Sequence, residues 1–141
     1  MTPQMEEKIR QSFAKQSMMA TLGARLGRLE TGAIEVEAPI LPGSLQQQGF
    51  AHAGLTFAIG DSAAGYSALS VMPDDAEILT TELKINLLGP GQGDKLIARG
   101  KVIKPGRRLV IVQSDVYAVQ DGKETHIAML MGTTIAVKPA A

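Results

Sequence analysis

With 141 residues, 45% of them hydrophobic and 20% charged, the chain matches one ordinary globular domain and is too short for two comfortable ones. Its 14 basic and 14 acidic residues cancel, which argues against a nucleic-acid partner, and the absence of cysteine excludes disulfides, thiolate metal sites and a cysteine nucleophile. Its two histidines, His52 and His126, stand far apart and make a poor metal constellation.

Residues 3–17 carry Met5, Ile9 and Phe13 at spacings of four among Glu6, Glu7, Lys8, Arg10 and Lys15, the pattern of a short amphipathic helix covering one edge of the fold. Residues 21–29 and 33–38, joined by Glu30-Thr31-Gly32, read as a hairpin whose second strand alternates Ile34-Glu35-Val36-Glu37. Pro39, Pro42 and Gly43 interrupt this pattern. A polar loop over residues 44–51 then leads into a small-residue helix over residues 54–71, which Met72-Pro73-Asp74-Asp75 ends. In residues 79–87, Leu79, Thr81, Leu83, Ile85 and Leu87 alternate with Thr80, Glu82, Lys84 and Asn86, predicting a strand with one mainly apolar face. After the turn Gly89-Pro90-Gly91-Gln92-Gly93 come residues 96–104 and 109–119, joined by Pro105-Gly106-Arg107. Asp121-Gly122 then leads into residues 126–137, completing a three-strand meander. Without regular βαβ alternation, the expected class is α+β, a mostly antiparallel sheet with its helices to one side. The N-terminal MTPQMEEKIRQSF is no signal sequence and the most apolar stretch is broken by Asp61, Ser and Gly, so the expected location is the cytoplasm, with no membrane partner.

Asp61 stands in the middle of that stretch, GLTFAIGDSAAGYSALSV, which otherwise reads as a buried helix. An unpaired carboxylate buried there would cost several kcal/mol, roughly, unless compensated or functional. Gly54, Gly60 and Gly65 each cost about 1 kcal/mol relative to Ala in a helix interior, which implies close backbone approach and a sheet curled around the helix. The bland alternative for Asp61 is an acid facing solvent or a partner's lysine.

The run Gln46-Gln47-Gln48-Gly49-Phe50-Ala51-His52-Ala53-Gly54, followed by Asp61-Ser62-Ala63-Ala64-Gly65, resembles the signature of the PaaI-type hotdog-fold thioesterases. That family sets a His-Gly-Gly turn at the start of its central helix and an acid nine positions after the His, the spacing of His52 and Asp61. The likeness extends through the element order of essentially the whole chain, including the Leu-Gly-Pro turn after the first long strand. It implies a single hotdog domain over residues 1–141, hydrolysis of acyl-CoA or aryl-CoA thioesters without metal or redox cofactor, and a homodimer, often doubled to a homotetramer. It also implies that the backbone N–H of residue 53 donates to the thioester oxygen. Members commonly have Gly there and this chain has Ala53, which keeps the N–H and serves if its φ is negative. Gln46 stands where several members place an orienting Asn six residues before the His, so Gln47 or Gln48 could serve instead. Thr80, ten residues before Pro90, matches the position whose hydroxyl contacts the nucleophilic site, or is a routine polar position on a half-exposed strand.

The residues carry this chemistry on physical grounds as well. Thioester hydrolysis needs a carboxylate that activates water or attacks directly, a role open to Asp61, and donors aimed at the developing oxyanion, which the amides of Ala53 and Gly54 at a helix start could supply. Gly54 and Asp61 are seven residues apart, about 10 Å along a helix, so one subunit cannot join them and a second, antiparallel helix must complete the site. His52 is either a site residue beside the thioester carbonyl or an ordinary helix-start cap, and His126 reads as a strand-surface residue. Lys104, Arg107 and Arg108 flank the Pro105-Gly106 turn and either grip coenzyme A phosphates or form a solvated tip. Met18, Met19, Met129 and Met131 read as core or interface filler. The alternatives are a non-catalytic acyl-CoA-binding hotdog module and, less well matched, a hotdog enoyl-CoA hydratase.

Overall fold

The computed structural model describes residues 1–138. Two short helices, α1 (Pro3–Ala14) and α2 (Ser17–Leu22), precede the hairpin β1 (Arg25–Glu30) and β2 (Ala33–Pro39) and the long helix α3 (Ala53–Leu69). Four strands follow: β3 (Glu77–Leu87), β4 (Lys95–Pro105), β5 (Leu109–Gln120) and β6 (Lys123–Val137). All six join one antiparallel sheet in the order β1-β2-β4-β5-β6-β3, and α3 packs across it against β4, β2 and β5. This is the hotdog fold, a curved sheet wrapped around a central helix.

The N-terminal third differs from its sequence pattern in one respect. Thr2 caps α1 by accepting the Met5 N–H, Pro3 fits the first turn, and Met5 and Ile9 are buried as the spacing predicts. Residues 21 and 22, expected to open the first strand, instead finish α2, which closes on Gly23 at φ 69. Only glycine takes that left-handed conformation freely, so β1 begins at Arg25. Of the four methionines singled out, Met19 enters the core, while Met18 and Met131 remain exposed.

The second difference is a β-bulge in β3. Thr80 pairs with Thr134 and Glu82 with Thr133, so Thr81 is an extra residue that shifts the strand by one. Leu83 and Ile85 pack on the core as the alternation predicts, but before the bulge it is Ile78 that packs inward, and Leu79 is left 58% exposed. Strict period-two reading put Leu79 and Leu83 on one face; the bulge puts them on opposite faces and turns Thr80 toward α3. The hairpin from β5 to β6 turns through Asp121 and Gly122, both at positive φ, as an Asp-Gly pair favours.

Helix and sheet approach closely at two glycines. A Cβ at Gly60 of α3 would lie 2.9 Å from Leu130, and one at Gly100 of β4 would lie 2.3 Å from the Ala63 carbonyl oxygen. Of the three helix glycines read as packing devices, only Gly60 meets the sheet; Gly54 lies against the His52 ring and Gly65 faces open space. Two serines tie the helix to β2 and the turn before it: Ser67 Oγ accepts the Ile34 N–H at 3.0 Å and Ser70 Oγ accepts the Gly32 N–H at 2.7 Å. Ser114, fully buried on β5, has an Oγ with no hydrogen-bond partner among the described residues. Replacing it with Ala removes that unsatisfied hydroxyl, and we expect stability to rise by up to about 1 kcal/mol, read as a higher denaturant midpoint at unchanged m-value.

Candidate active site

α3 starts at His52, whose extended backbone (φ −64, ψ 141) makes it the N-cap and whose Nδ1 accepts the Gly54 N–H at 2.7 Å. A neutral imidazole accepting at Nδ1 carries its proton on Nε2, so the exposed ring offers one hydrogen-bond donor. The Gly54 amide is thereby engaged. Ala53 opens the helix, where intrahelical bonding leaves the first N–H groups without a partner. Asp121 is the one described non-glycine residue at positive φ, so Ala53 has the negative φ that its donor role requires. Of the two amides expected to face an oxyanion, Ala53 therefore remains available and Gly54 serves the cap.

The loop before the helix is closed by Gln46. Its N–H donates to the Phe50 carbonyl at 2.8 Å, and its Oε1 accepts the Phe50 N–H at 3.2 Å and the Gln48 N–H at 2.5 Å. Gln46, Gln48, His52, Ala53 and Thr56 line one cleft of about 340 Å³, while Gln47 is exposed and does not line it. Gln46 is thus beside the helix start, with its carbonyl oxygen committed to the loop.

Asp61 lies further along α3, and the protomer does not bury it. Its carboxylate is half-buried and its Oδ1 accepts the Thr80 hydroxyl at 2.8 Å. The bulge at Thr81 makes that contact possible by turning Thr80 inward. Asp61 and Thr80 line a second cleft of about 450 Å³, between α3, β3 and the end of α1, which shares no lining residue with the first. Three further residues there, Ser12, Gln16 and Tyr66, carry no local pattern that joins them, because their meeting depends on α1 packing over α3. Tyr66 receives a hydrogen bond from Gln16 Nε2 at 2.7 Å and lies 3.1 Å from Ser12 Oγ. The one available signal was Tyr66 itself, the only hydroxyl-bearing aromatic in a helix of small residues.

The two clefts adjoin the open side of α3, where Gly54 and Phe57 are exposed and Ala53, Ala58, Asp61, Ser62 and Gly65 are half-exposed. Lys104, Arg107 and Arg108 are exposed around the turn from β4 to β5, and none forms a salt bridge among the described residues. The cross-strand row Thr80, Thr134, Val110, Pro105 sets that tip three strand spacings from Thr80, about 14 Å. His126 lines neither cleft; its Nε2 lies 3.0 Å from Asp115 Oδ1 and its ring stacks on Tyr117. Arg99 lies over the Tyr117 ring and pairs with Glu124, whose carboxyl it holds below the usual range by hydrogen bonding and charge. Among the described residues, no group of three or more His, Cys, Asp or Glu side chains is disposed to hold a metal, and no helix is long and apolar enough to cross a membrane.

Comparison with known proteins places this geometry. Residues 48–125 match the Thioesterase superfamily, a span that contains His52, Asp61, Thr80 and the basic turn. The crystal structure of a thioesterase family protein from Silicibacter pomeroyi is 42% identical and superposes with a TM-score of 0.93 over 96% of this chain and 99% of that one. The E. coli PaaI protein from the phenylacetic acid degradation operon, 18% identical, shares the fold at a TM-score of 0.83 over 95% of this chain and 94% of its own. In sequence, the chain is 31% identical over 102 residues to the Saccharolobus solfataricus protein named "Putative esterase SSO2140", spanning 72% of this chain and 71% of that one. The matched span and the fold together make this chain a hotdog-fold member of the thioesterase superfamily, and its chemistry thioester hydrolysis.

Proposed function

We propose that the protein hydrolyses acyl-CoA or aryl-CoA thioesters at composite sites, each formed by Asp61 and Thr80 of one protomer and the His52–Gly54 helix start of a second. The observation that carries this reading is the separation of the two half-sites. The carboxylate and the oxyanion donors share the open side of α3 but line different clefts, and an antiparallel copy of α3 would bring one against the other. The thioester carbonyl accepts from the Ala53 N–H and the His52 Nε2–H. Asp61, held by Thr80, takes a proton from water as the water oxygen bonds to the carbonyl carbon. The oxyanion then collapses, the C–S bond breaks, and the departing thiolate takes up the proton, releasing free acid and coenzyme A. Direct attack by Asp61 through a mixed anhydride uses the same geometry.

The surface supports the assembly this requires. β3 is an edge strand bonded to β6 alone, and Leu87 on it, 58% exposed, lines the helix-start cleft beside the open side of α3. On the outer face of the sheet, the row Leu79, Ile135 and Leu109 forms an apolar strip suited to pairing two dimers into a tetramer. Lys104, Arg107 and Arg108 supply three positive charges for coenzyme A phosphates.

A thiol-release assay over a panel of acyl-CoA and aryl-CoA thioesters, with sedimentation of the same samples, tests the proposal. Turnover by a dimer or tetramer is the expected result. Binding without thiol release would instead make the protein an acyl-CoA-binding module, water addition to an enoyl-CoA would make it a hydratase, and an active monomer would end the composite site. His52→Ala should lower kcat by at least ~10-fold with KM little changed, because the Nε2 donor acts on the developing oxyanion. The same change removes the N-cap and should cost about 1 kcal/mol of stability.

A further inference from the structure

α3 buries one side against the sheet, and along its open side the residues are small with one exception. Ala53, Gly54, Ala58, Ser62 and Gly65 leave a shallow surface, from which the ring of Phe57 stands out, 37% exposed. A single exposed ring is ordinary on a protein surface; its position here is not. Phe57 lines neither cleft, yet it stands four residues from Ala53, which lines the one, and four from Asp61, which lines the other.

Electrostatics fixes how a second copy of this helix would lie on the first. Asp61 is the only Asp, Glu, Lys, Arg or His between Ala53 and Leu69, and among the described residues it forms no salt bridge. Across a twofold axis between antiparallel helices, each residue faces the position equally far beyond the axis. An axis at Asp61 would therefore set two carboxylates against each other. An axis at Phe57 sets each carboxylate on position 53 of the other copy, where helix amides are unbonded and the dipole is positive. The small residues on either side let the two helix axes approach to about 8–10 Å.

Resting on the composite-site reading above, we propose that the two Phe57 rings of a dimer meet on its twofold axis. There they form both the central contact between the α3 helices and the wall that separates one site from the other. Each site then takes Asp61 from one protomer, the helix start from the second, and a ring from each. The two sites lie about 12 Å apart along α3, with the ring pair one helical turn from either. Packed offset on each other, the rings close the inner end of both sites and exclude the water that a joined cavity would admit.

The full chain has no cysteine, so single cysteines report the axis directly. Phe57→Cys should cross-link to a covalent dimer under mild oxidation, because a residue on the axis faces its own copy. Ser62→Cys lies ten residues from its own copy, about 15 Å along the helices, and should not, since a disulfide joins Cα atoms no more than about 7 Å apart. In sedimentation, Phe57→Ala should raise the dimer dissociation constant at least ~30-fold, with Phe57→Leu restoring part of the loss. Thiol release per protomer should fall on dilution in Phe57→Ala at concentrations where wild type is unaffected. Cross-linking of Ser62→Cys instead of Phe57→Cys, or a Phe57→Ala dimer as tight as wild type, would overturn the axis at Phe57, while thiol release by wild type would keep the hydrolytic reading. Conversely, Phe57→Cys cross-linking in a protein whose wild type releases no thiol from any CoA thioester would uphold the axis and end the hydrolytic reading.

Discussion

Asp61→Asn is expected to abolish thioester hydrolysis while the fold and the oligomer persist. The amide is nearly isosteric with the carboxylate, its oxygen can still accept from the Thr80 hydroxyl now 2.8 Å away, and the half-exposed position does not demand a charge. What it cannot do is take a proton from water or attack the carbonyl. A loss of at least ~10²-fold in kcat is the minimum for removing a general base, and a larger one follows if Asp61 attacks covalently. Near-normal kcat in this variant would make Asp61 structural. The composite site sharpens the experiment. Mixed dimers of Asp61→Asn and His52→Ala protomers contain one site with both changes and one with neither. Co-refolding the two impaired variants should therefore restore up to half the activity per heterodimer, whereas a site confined to one protomer would leave every mixture impaired.

Much of this arrangement is legible in the residues, and the failures have physical causes. The Asp121-Gly122 hairpin, the meander of β4 to β6 and the small-residue helix all follow from local chemistry, and the structure has them. Local chemistry also explains α2, which a strand reading missed by passing over Gly23 as a helix stop. The bulge at Thr81 is different. Nothing in the alternation of residues 79–87 marks it, because the extra residue is defined by pairing with β6, a strand some fifty positions away. Yet that bulge decides which hydroxyl meets Asp61. The apolar neighbours of Asp61 in sequence imply a buried carboxylate, while its exposure depends on α3 having one side that no element of the protomer covers. The polar group beside that cleft has no local signature for a related reason: Ser12 and Tyr66 are 54 positions apart and meet only through packing.

The packing that sets the distance between α3 and the sheet should be most sensitive at Gly100. This residue sits in the middle of β4, paired to Ile34 on one side and Ser114 on the other, so the strand cannot shift without breaking two ladders. A Cβ there would fall 2.3 Å from the Ala63 oxygen, 2.4 Å from its carbonyl carbon and 2.7 Å from the Ala64 nitrogen. These are backbone atoms of a helix and cannot rotate away. The helix itself is anchored by the bond from Ile34 N–H to Ser67 Oγ and by Leu130 against Gly60, so relief requires moving α3 as a body. Gly100→Ala should therefore destabilise by about 3 kcal/mol, at the upper end for overpacking a core, and lower the melting temperature by roughly 10 °C. Gly65→Ala makes the contrasting case on the same helix. Its Cβ meets nothing, and replacing a helix-interior glycine there should stabilise by about 0.5–1 kcal/mol. Thermal unfolding of the two variants checks both signs at once: equal effects would mean that the sheet does not hold α3 this closely. If the approach is as tight as the geometry shows, any Gly100→Ala protein that still folds must hold α3 farther from the sheet. Asp61 would then sit away from Thr80, and turnover should fall by more than the lost folded fraction explains.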